Sequence, residues 1–309
     1  MGDLLSNKVA IVTGSGRGIG RGIALKFAEE GASVVVNDLG GSTDGSSQST
    51  SPADEVVGEI IAAGGSAVAN YDSVASMEGG ENIVQTAIDS FGRLDIVVTP
   101  AGILRDRMIF NMTEPEWDDV IAVHLKGTFT VVKHACILFR QQRSGCIITF
   151  SSVSGLYGNS GQANYGAAKD GIAGFTRGVA RDMGRYGVRV NGISPNADSR
   201  LTATIPQSAR EIRIQSGMQS ASSTGPLKLP REPENIAPFV TWLASDRADG
   251  VNGHIFHVEG GEVSLMNNPE PVRTMHKQGR WTVDEISAVF PQTLGMDLVN
   301  PAPPQAPRT

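Results

Sequence analysis

Short apolar runs alternate along this chain with longer stretches in which apolar residues recur every three or four positions. The runs at 8–12, 33–38, 66–71, 94–98, 146–150, 188–193 and 254–258 are almost uniformly apolar, the signature of strands buried on both faces. The periodic stretches at 19–30, 53–63, 79–91, 114–141, 164–185 and 234–244 read as helices. Gly31 ends the first of them, where a glycine commonly stops a helix. Thr113-Glu114-Pro115-Glu116 has the form of a capping box and opens the fourth. Strands alternating with helices predict an α/β fold: a doubly wound parallel sheet of seven strands, right-handed crossovers and helices on both faces.

The connections add detail. Residues 39–52 are polar and rich in Gly and Ser, so they read as a loop. Residues 196–232, with Pro206, Pro226 and Pro230, form a long insertion, and an insertion of that length in a compact domain is expected to be a lid. Past Gly261 the pattern changes. Thr282-Val283-Asp284-Glu285 caps one more short helix, stopped by Pro291, and four prolines in the last ten residues predict an extended tail. No internal repeat is present. The expected division is one domain over 1–262, lid included, and an extension over 263–309.

Composition narrows the possibilities. Hydrophobic residues make up 40% of 309, enough for one large core, and a formal net charge of −6 disfavours a nucleic-acid partner. Cys136 and Cys146 lack metal or redox spacing and read as buried small side chains. His254 and His257, three apart on a strand, face opposite sides, so no metal site is expected. The opening does not resemble a signal peptide, no apolar run reaches membrane-spanning length, and Pro307-Arg308-Thr309 is not a peroxisomal signal. The expectation is a cytoplasmic protein with no membrane partner.

Two stretches carry candidate chemistry. Tyr165 and Lys169 stand four apart in a predicted helix and share a face. A lysine ammonium there would favour the phenolate and make Tyr165 a usable acid/base, while a serine hydroxyl held a substrate oxygen. Near the start, Thr13-Gly14-Ser15-Gly16-Arg17-Gly18-Ile19-Gly20 joins the first strand to the first helix. Such a turn brings backbone N–H groups to a pyrophosphate at a helix N-terminus. Asp38 ends the second strand, where a carboxylate binds adenosine ribose hydroxyls and repels a 2′-phosphate. NAD is thereby favoured over NADP, although Arg17 argues mildly the other way.

The glycine turn, Ser152 thirteen residues before Tyr165, and Tyr165 with Lys169 together resemble the short-chain dehydrogenase/reductase family over about residues 6–262. Val35–Gly41, Ala101–Arg107, Val123–Gly127, Gly158–Tyr165 and Ser194–Ala197 resemble, within it, the 3-hydroxyacyl-CoA dehydrogenase part of multifunctional enzyme type 2 and its bacterial stand-alone relatives. The resemblance implies a Rossmann-type, dinucleotide-binding fold. It implies Ser152 and Tyr165 at the substrate, and Gly14, Arg17, Gly18, Ile19, Gly20, Asp38, Asp72, Ser73, Ala101, Gly102, Tyr165, Lys169 and Pro195 at the cofactor. The substrate it implies is a small molecule, an acyl-CoA, with a steroid-derived acyl group as one form. A free steroid or xenobiotic alcohol and a catalytically weak dinucleotide-binding scaffold are the alternatives. The helices at 114–141 and 164–185 resemble the family's dimer-forming pair, so a homodimer or homotetramer is expected. Arg200, Arg210, Arg213, Lys228 and Arg231 against Glu211 make the lid basic, which suits CoA phosphates. Three positions depart from the family: Thr99-Pro100 stand where it has two asparagines, and His124 where many members have a relay asparagine.

Overall fold

The computed structural model describes residues 2–41, 51–198 and 231–301. Within them β1 (Val9–Thr13), β2 (Ser33–Asn37), β3 (Ser66–Asn70), β4 (Ile96–Thr99), β5 (Gly145–Phe150), β6 (Val188–Asn196), β7 (Ile255–Glu259) and β8 (Glu262–Leu265) form one sheet in the order β3-β2-β1-β4-β5-β6-β7-β8. All neighbours are parallel except β7 and β8. The chain leaves β1 towards β2 and β3, then returns to β4 on the other side of β1. That reversal opens a crevice at the carboxyl ends of β1 and β4, the usual ligand position in such sheets.

The helices are α1 (Gly18–Glu29), α2 (Ser51–Ala62), α3 (Met77–Phe91), α4 (Glu114–Ile121), α5 (Gly127–Gln142), α6 (Val153–Leu156), α7 (Ala163–Gly184), α8 (Ala237–Ala244) and α9 (Val283–Val289). Side chains alternate across the strands and give two cores. Ala10, Val12, Val34 and Val36 pack with Ile23 and Phe27 of α1 and Val240 and Leu243 of α8. Val9, Ile11 and Val35 pack with Ile83 of α3, Val131 and Phe139 of α5 and Met183 of α7.

Three expectations need correction. Seven strands become eight, because Gly260-Gly261 makes a two-residue hairpin, with Gly260 at φ 53°, and returns the chain as antiparallel β8. The single helix predicted over 114–141 is α4 and α5 joined by a π-helical turn, Ala122–Lys126, which contains His124. Glu114–Gln142 is also, by length and composition, long and apolar enough to cross a membrane. Here Val131, Val132, Ala135 and Phe139 of that run are buried in the second core instead.

The capping signals hold. Thr113 and Glu116 form the reciprocal capping box of α4, and Thr282 and Glu285 that of α9. Ser76 caps α3 by accepting from Gly79 N, so that helix begins two residues before the predicted start. Cys136 and Cys146 are unpaired. The predicted lid lies outside the described residues between 199 and 230, with four of its five cations, and so does the tail beyond 301. The fifth, Arg231, pairs with Glu259 at 2.7 Å.

Helices α3 and α5 are in close contact. A Cβ on Gly80 would lie 2.7 Å from both the carbonyl carbon and the Cβ of Thr130. Thr130 cannot yield, since it is fully buried and its Oγ1 donates to Val74 O. Gly80→Ala should therefore cost about 1–3 kcal/mol, read as a lower denaturant midpoint at unchanged slope. An unmoved midpoint would show that the two helices are free to separate.

Candidate active site

The β1–α1 turn is built by close backbone approach. Gly14 has φ +59°, and a Cβ there would meet Ala101 Cα at 2.6 Å. A Cβ on Gly20 would lie 2.3 Å from Gly14 O, so the helix rests directly on the turn. Gly18, φ +55°, faces open space. Arg17, at the N-cap, makes no side-chain capping bond to the first-turn N–H groups of α1. This is a cradle for an anion. Asp38, just past β2, accepts from Gly16 N at 2.8 Å and from Gly40 N at 2.7 Å. A carboxylate is thus fixed beside the turn, at the crevice. These residues fit a dinucleotide.

Asp72 and Ser73 follow β3. Asp72 accepts from Asn70 Nδ2 at 2.7 Å and from Asn82 Nδ2 at 3.1 Å, and Ser73 Oγ accepts from Ala75 N. Asn37 and Asn70, both buried, join β2 and β3 through Asn37 Nδ2 to Asn70 Oδ1 at 2.8 Å. The sequence reading missed this pair, though an asparagine closing an apolar run was the available signal. Pro195 lies beyond Ile193, the last β6 residue paired to β5, and faces no β5 ladder that would need its missing N–H.

Ser152, Tyr165 and Lys169 come together at the carboxyl end of β5. Ser152 heads α6, where its Oγ accepts from Ser154 N, and its hydroxyl acts on that of Tyr165 in the direction that favours the phenolate. Lys169 is buried and donates from Nζ to Phe150 O at 2.7 Å, with Nζ 5.6 Å from the Tyr165 ring centroid. Asn164, fully buried, fixes the start of α7. Its Nδ2 donates to Arg105 O and Glu116 O, and its Oδ1 accepts from Tyr165 N at 2.7 Å.

The electrostatics differ from the expectation. Burial pushes the Tyr165 hydroxyl up to about 12; the Ser152 hydroxyl opposes this and the Asp106 charge adds to it. The lysine does not dominate, because burial pushes Lys169 itself down to about 7. A half-charged ammonium bound to a carbonyl is a weak partner for a phenolate.

The departures have structural accounts. Pro100 removes an N–H, and Thr99 Oγ1 is buried without a partner. Ala101 N donates instead to Thr13 Oγ1 on β1, at 3.3 Å. His124 Nε2 lies 2.7 Å from Ile103 O and 3.1 Å from Ile103 N, and the shorter contact is the one made with the proton on Nε2. Burial, then the Lys169 charge, pushes this imidazole down to about 3, and it stands neutral, edge-on to Tyr165 at 5.1 Å between ring centroids. A Cβ on Gly102 would lie 2.1 Å from His124 Cε1, so the ring needs that glycine.

Comparison with known proteins agrees with this geometry. The family model described as enoyl-(acyl carrier protein) reductase matches residues 14–262. Peroxisomal multifunctional enzyme type 2 of Mus musculus is 45% identical over 260 residues, 84% of this chain but 32% of that protein, so the chain spans about a third of that relative. Hydroxyacyl-CoA dehydrogenase ChsB1 of Mycobacterium tuberculosis is 39% identical over 295 residues, 93% of this chain and 88% of its own. A crystal structure of a short chain dehydrogenase from Mycobacterium avium matches with a TM-score of 0.79 at 42% identity, covering 98% of both chains. With the crevice, the glycine turn and these matches in hand, the chain belongs to the short-chain dehydrogenase/reductase family.

Proposed function

We propose that this chain is an NAD-dependent oxidoreductase that interconverts the 3-hydroxyl and 3-keto forms of an acyl-CoA thioester, steroid-derived acyl groups included. The observation that carries the reading is the meeting of Ser152, Tyr165 and Lys169 at the edge of the sheet that also holds the open glycine cradle. Likeness along 93% of the chain to a hydroxyacyl-CoA dehydrogenase supports the substrate class. The unit that does this is residues 1–262, with 263–309 as its extension. A homodimer or homotetramer in the cytoplasm completes the reading, supported by Trp117, Phe129 and Ile137, which stay exposed on α4 and α5.

Ser152 Oγ holds the substrate oxygen and Tyr165 Oη moves its proton. A bound nicotinamide supplies the hydride acceptor or donor and, when oxidised, a positive charge. Lys169 holds the ribose side of that group. Gly14, Arg17, Gly18, Ile19 and Gly20 surround the pyrophosphate, Asp38 the ribose, Asp72 and Ser73 the adenine, and Ala101, Gly102 and Pro195 the remaining walls. With Tyr165 near 12, the ligand-free site is in its acid form at neutral pH.

A screen of 3-hydroxyacyl-CoA thioesters and steroid alcohols, followed as NADH absorbance, should find turnover on a thioester. Tyr165→Phe should lower it by about 10²–10⁴-fold while NAD binding persists. Retention of about a tenth of the wild-type rate or more would remove Tyr165 from the mechanism.

The cofactor preference rests on Asp38. Asp38→Ala should raise kcat/KM with NADP relative to NAD, since the carboxylate no longer repels a 2′-phosphate. An unchanged ratio would mean that Asp38 serves only to hold Gly16 and Gly40.

Lys169 makes stability depend on pH. Its folded value near 7 lies below the ordinary 10.5, so between these values the unfolded chain binds more protons and stability rises with pH. Below about pH 7 the folded protein bears the full cost of a buried ammonium. The Tm difference between Lys169→Met and wild type should favour the variant most near about pH 6 and shrink towards about pH 10. A pH-independent difference would show that the lysine keeps its ordinary proton affinity.

A further inference from the structure

Helix α7 starts without a cap of the ordinary kind. Gln162 holds the N-cap position but makes no side-chain capping bond; its Oε1 accepts instead from Ser154 Oγ at 2.8 Å and Asn159 Nδ2 at 2.7 Å. An N–H in the first turn of a helix has no partner within that helix. The Tyr165 N–H is one of these, and Asn164 Oδ1 accepts it at 2.7 Å. The same amide donates from Nδ2 to Arg105 O at 3.0 Å and to Glu116 O at 2.8 Å. Asn164 is fully buried, so none of these bonds can be exchanged for one to water. One planar group thus joins the loop after β4, the first turn of α4 and the first turn of α7. The loop it grips is also the crevice wall. A Cβ on Gly14 would meet Ala101 Cα at 2.6 Å, and Ala101 N donates to Thr13 Oγ1. A second tie, Arg107 N to Gly161 O at 2.8 Å, holds the same loop to the turn before α7.

We propose that Asn164 is a positioning residue: by binding the Tyr165 backbone to the crevice wall it sets where the tyrosine stands relative to a bound cofactor. From Arg105 O to Tyr165 N the path crosses a single side-chain amide. Two carbonyls on one side and an N–H on the other leave one assignment of its oxygen and nitrogen, and with three of four hydrogen-bonding positions filled it has one orientation. Tyr165 follows directly in sequence, so rotation of that amide displaces the tyrosine. Displacement of a reacting group by about 1 Å costs on the order of 10²-fold in rate. A cap alone would need only the Oδ1 contact; the two Nδ2 bonds hold elements that a cap does not touch. The inference rests on the reading of Tyr165 as the acid/base.

Two variants test it. Asn164→Ala removes all three bonds, and kcat should fall by about tenfold to 10²-fold while KM and the Kd for NAD stay within about twofold of wild type. The carboxyl of Asn164→Asp keeps the acceptor and turns its second oxygen to the two carbonyls. It should hold its proton well above the usual aspartate range and, while protonated, donate to one of them. Its kcat, taken as a ratio to wild type at each pH, should therefore recover part of the loss near about pH 6 and little near about pH 9. A role confined to capping α7 would leave Asn164→Asp at the wild-type kcat throughout, since aspartate accepts from an N–H as well, and that result overturns the inference. The independent readout is the Cζ resonance of Tyr165 in ¹³C-tyrosine-labelled protein, identified by its loss in Tyr165→Phe. It should move in Asn164→Ala while those of Tyr71, Tyr157 and Tyr186 stay. An unmoved resonance overturns the inference whatever kcat does. A moved resonance with unchanged kcat supports the hold of Asn164 on Tyr165 and overturns instead the role of Tyr165 as the acid/base. Should Asn164→Ala fail to fold, the resonance is followed in Asn164→Asp from about pH 6 to about pH 9, where it should show a step that wild type lacks. Absence of that step overturns the inference.

Discussion

The site depends on a charge-bearing group taken out of water. Lys169 is buried, and its Nζ donates to Phe150 O at the end of β5. The stitch runs in both directions, because Ser151 Oγ donates to Lys169 O at 2.9 Å. Together these bonds fix the register of α7 against β5, and with it the height of Tyr165 above Ser152. A Cβ on Gly155 would lie 2.5 Å from Asp170 N, so α6 also lies hard against α7 at this level. Burying an ammonium is costly unless it is neutralised or well bonded, and the pull on Lys169 towards about 7 measures that cost. Stability is weakened here in exchange for geometry.

The strands were legible because each is apolar on both faces, a pattern that only a covered parallel sheet explains. The glycine turn and the Tyr165/Lys169 spacing were legible because backbone approach and helix periodicity leave a residue-level mark. What escaped notice depends on contacts between distant residues. The π-helical turn at Ala122–Lys126 breaks no propensity rule, and its His124 reaches Ile103 across 21 residues. The Asn164 staple joins α7 to the loop after β4 and to α4, and its sequence neighbours give no hint of either. The proton affinity of Tyr165 escaped for the same reason: helix spacing puts a lysine nearby, but burial of both groups decides the outcome. Strand β8 is different, since Gly260-Gly261 between Val-Glu and Glu-Val was a readable hairpin signal.

The loss of both amides at Thr99-Pro100 raises the question of what holds the crevice wall. Two interactions serve in their place. Thr13 Oγ1 takes the Ala101 N–H from the β1 side, and His124 takes the Ile103 carbonyl from the helix side. The second requires Gly102, over which the imidazole lies, and requires the ring to be neutral with its proton on Nε2. Two buried atoms of this arrangement, Thr99 Oγ1 and His124 Nδ1, have no partner among the described residues. The histidine at 124 thus depends on Gly102, two residues beyond the Thr99-Pro100 pair.

Three titratable groups gathered at the carboxyl end of β5 are all driven towards their neutral forms: tyrosine near 12, lysine near 7, histidine near 3. Burial is the largest cause in each case. The tyrosine and histidine are therefore uncharged at neutral pH and the lysine half-charged, while the carboxylate of Asp38 stands beside the glycine turn. Such a site is poised to respond to charge that arrives with a ligand, since a low-dielectric surrounding magnifies each new charge. A cationic ring beside Tyr165 would lower its proton affinity against the pull of burial. The direction of proton transfer would then be set by which form of the cofactor is bound, with the protein's own residues holding the balance near the point where that charge can tip it.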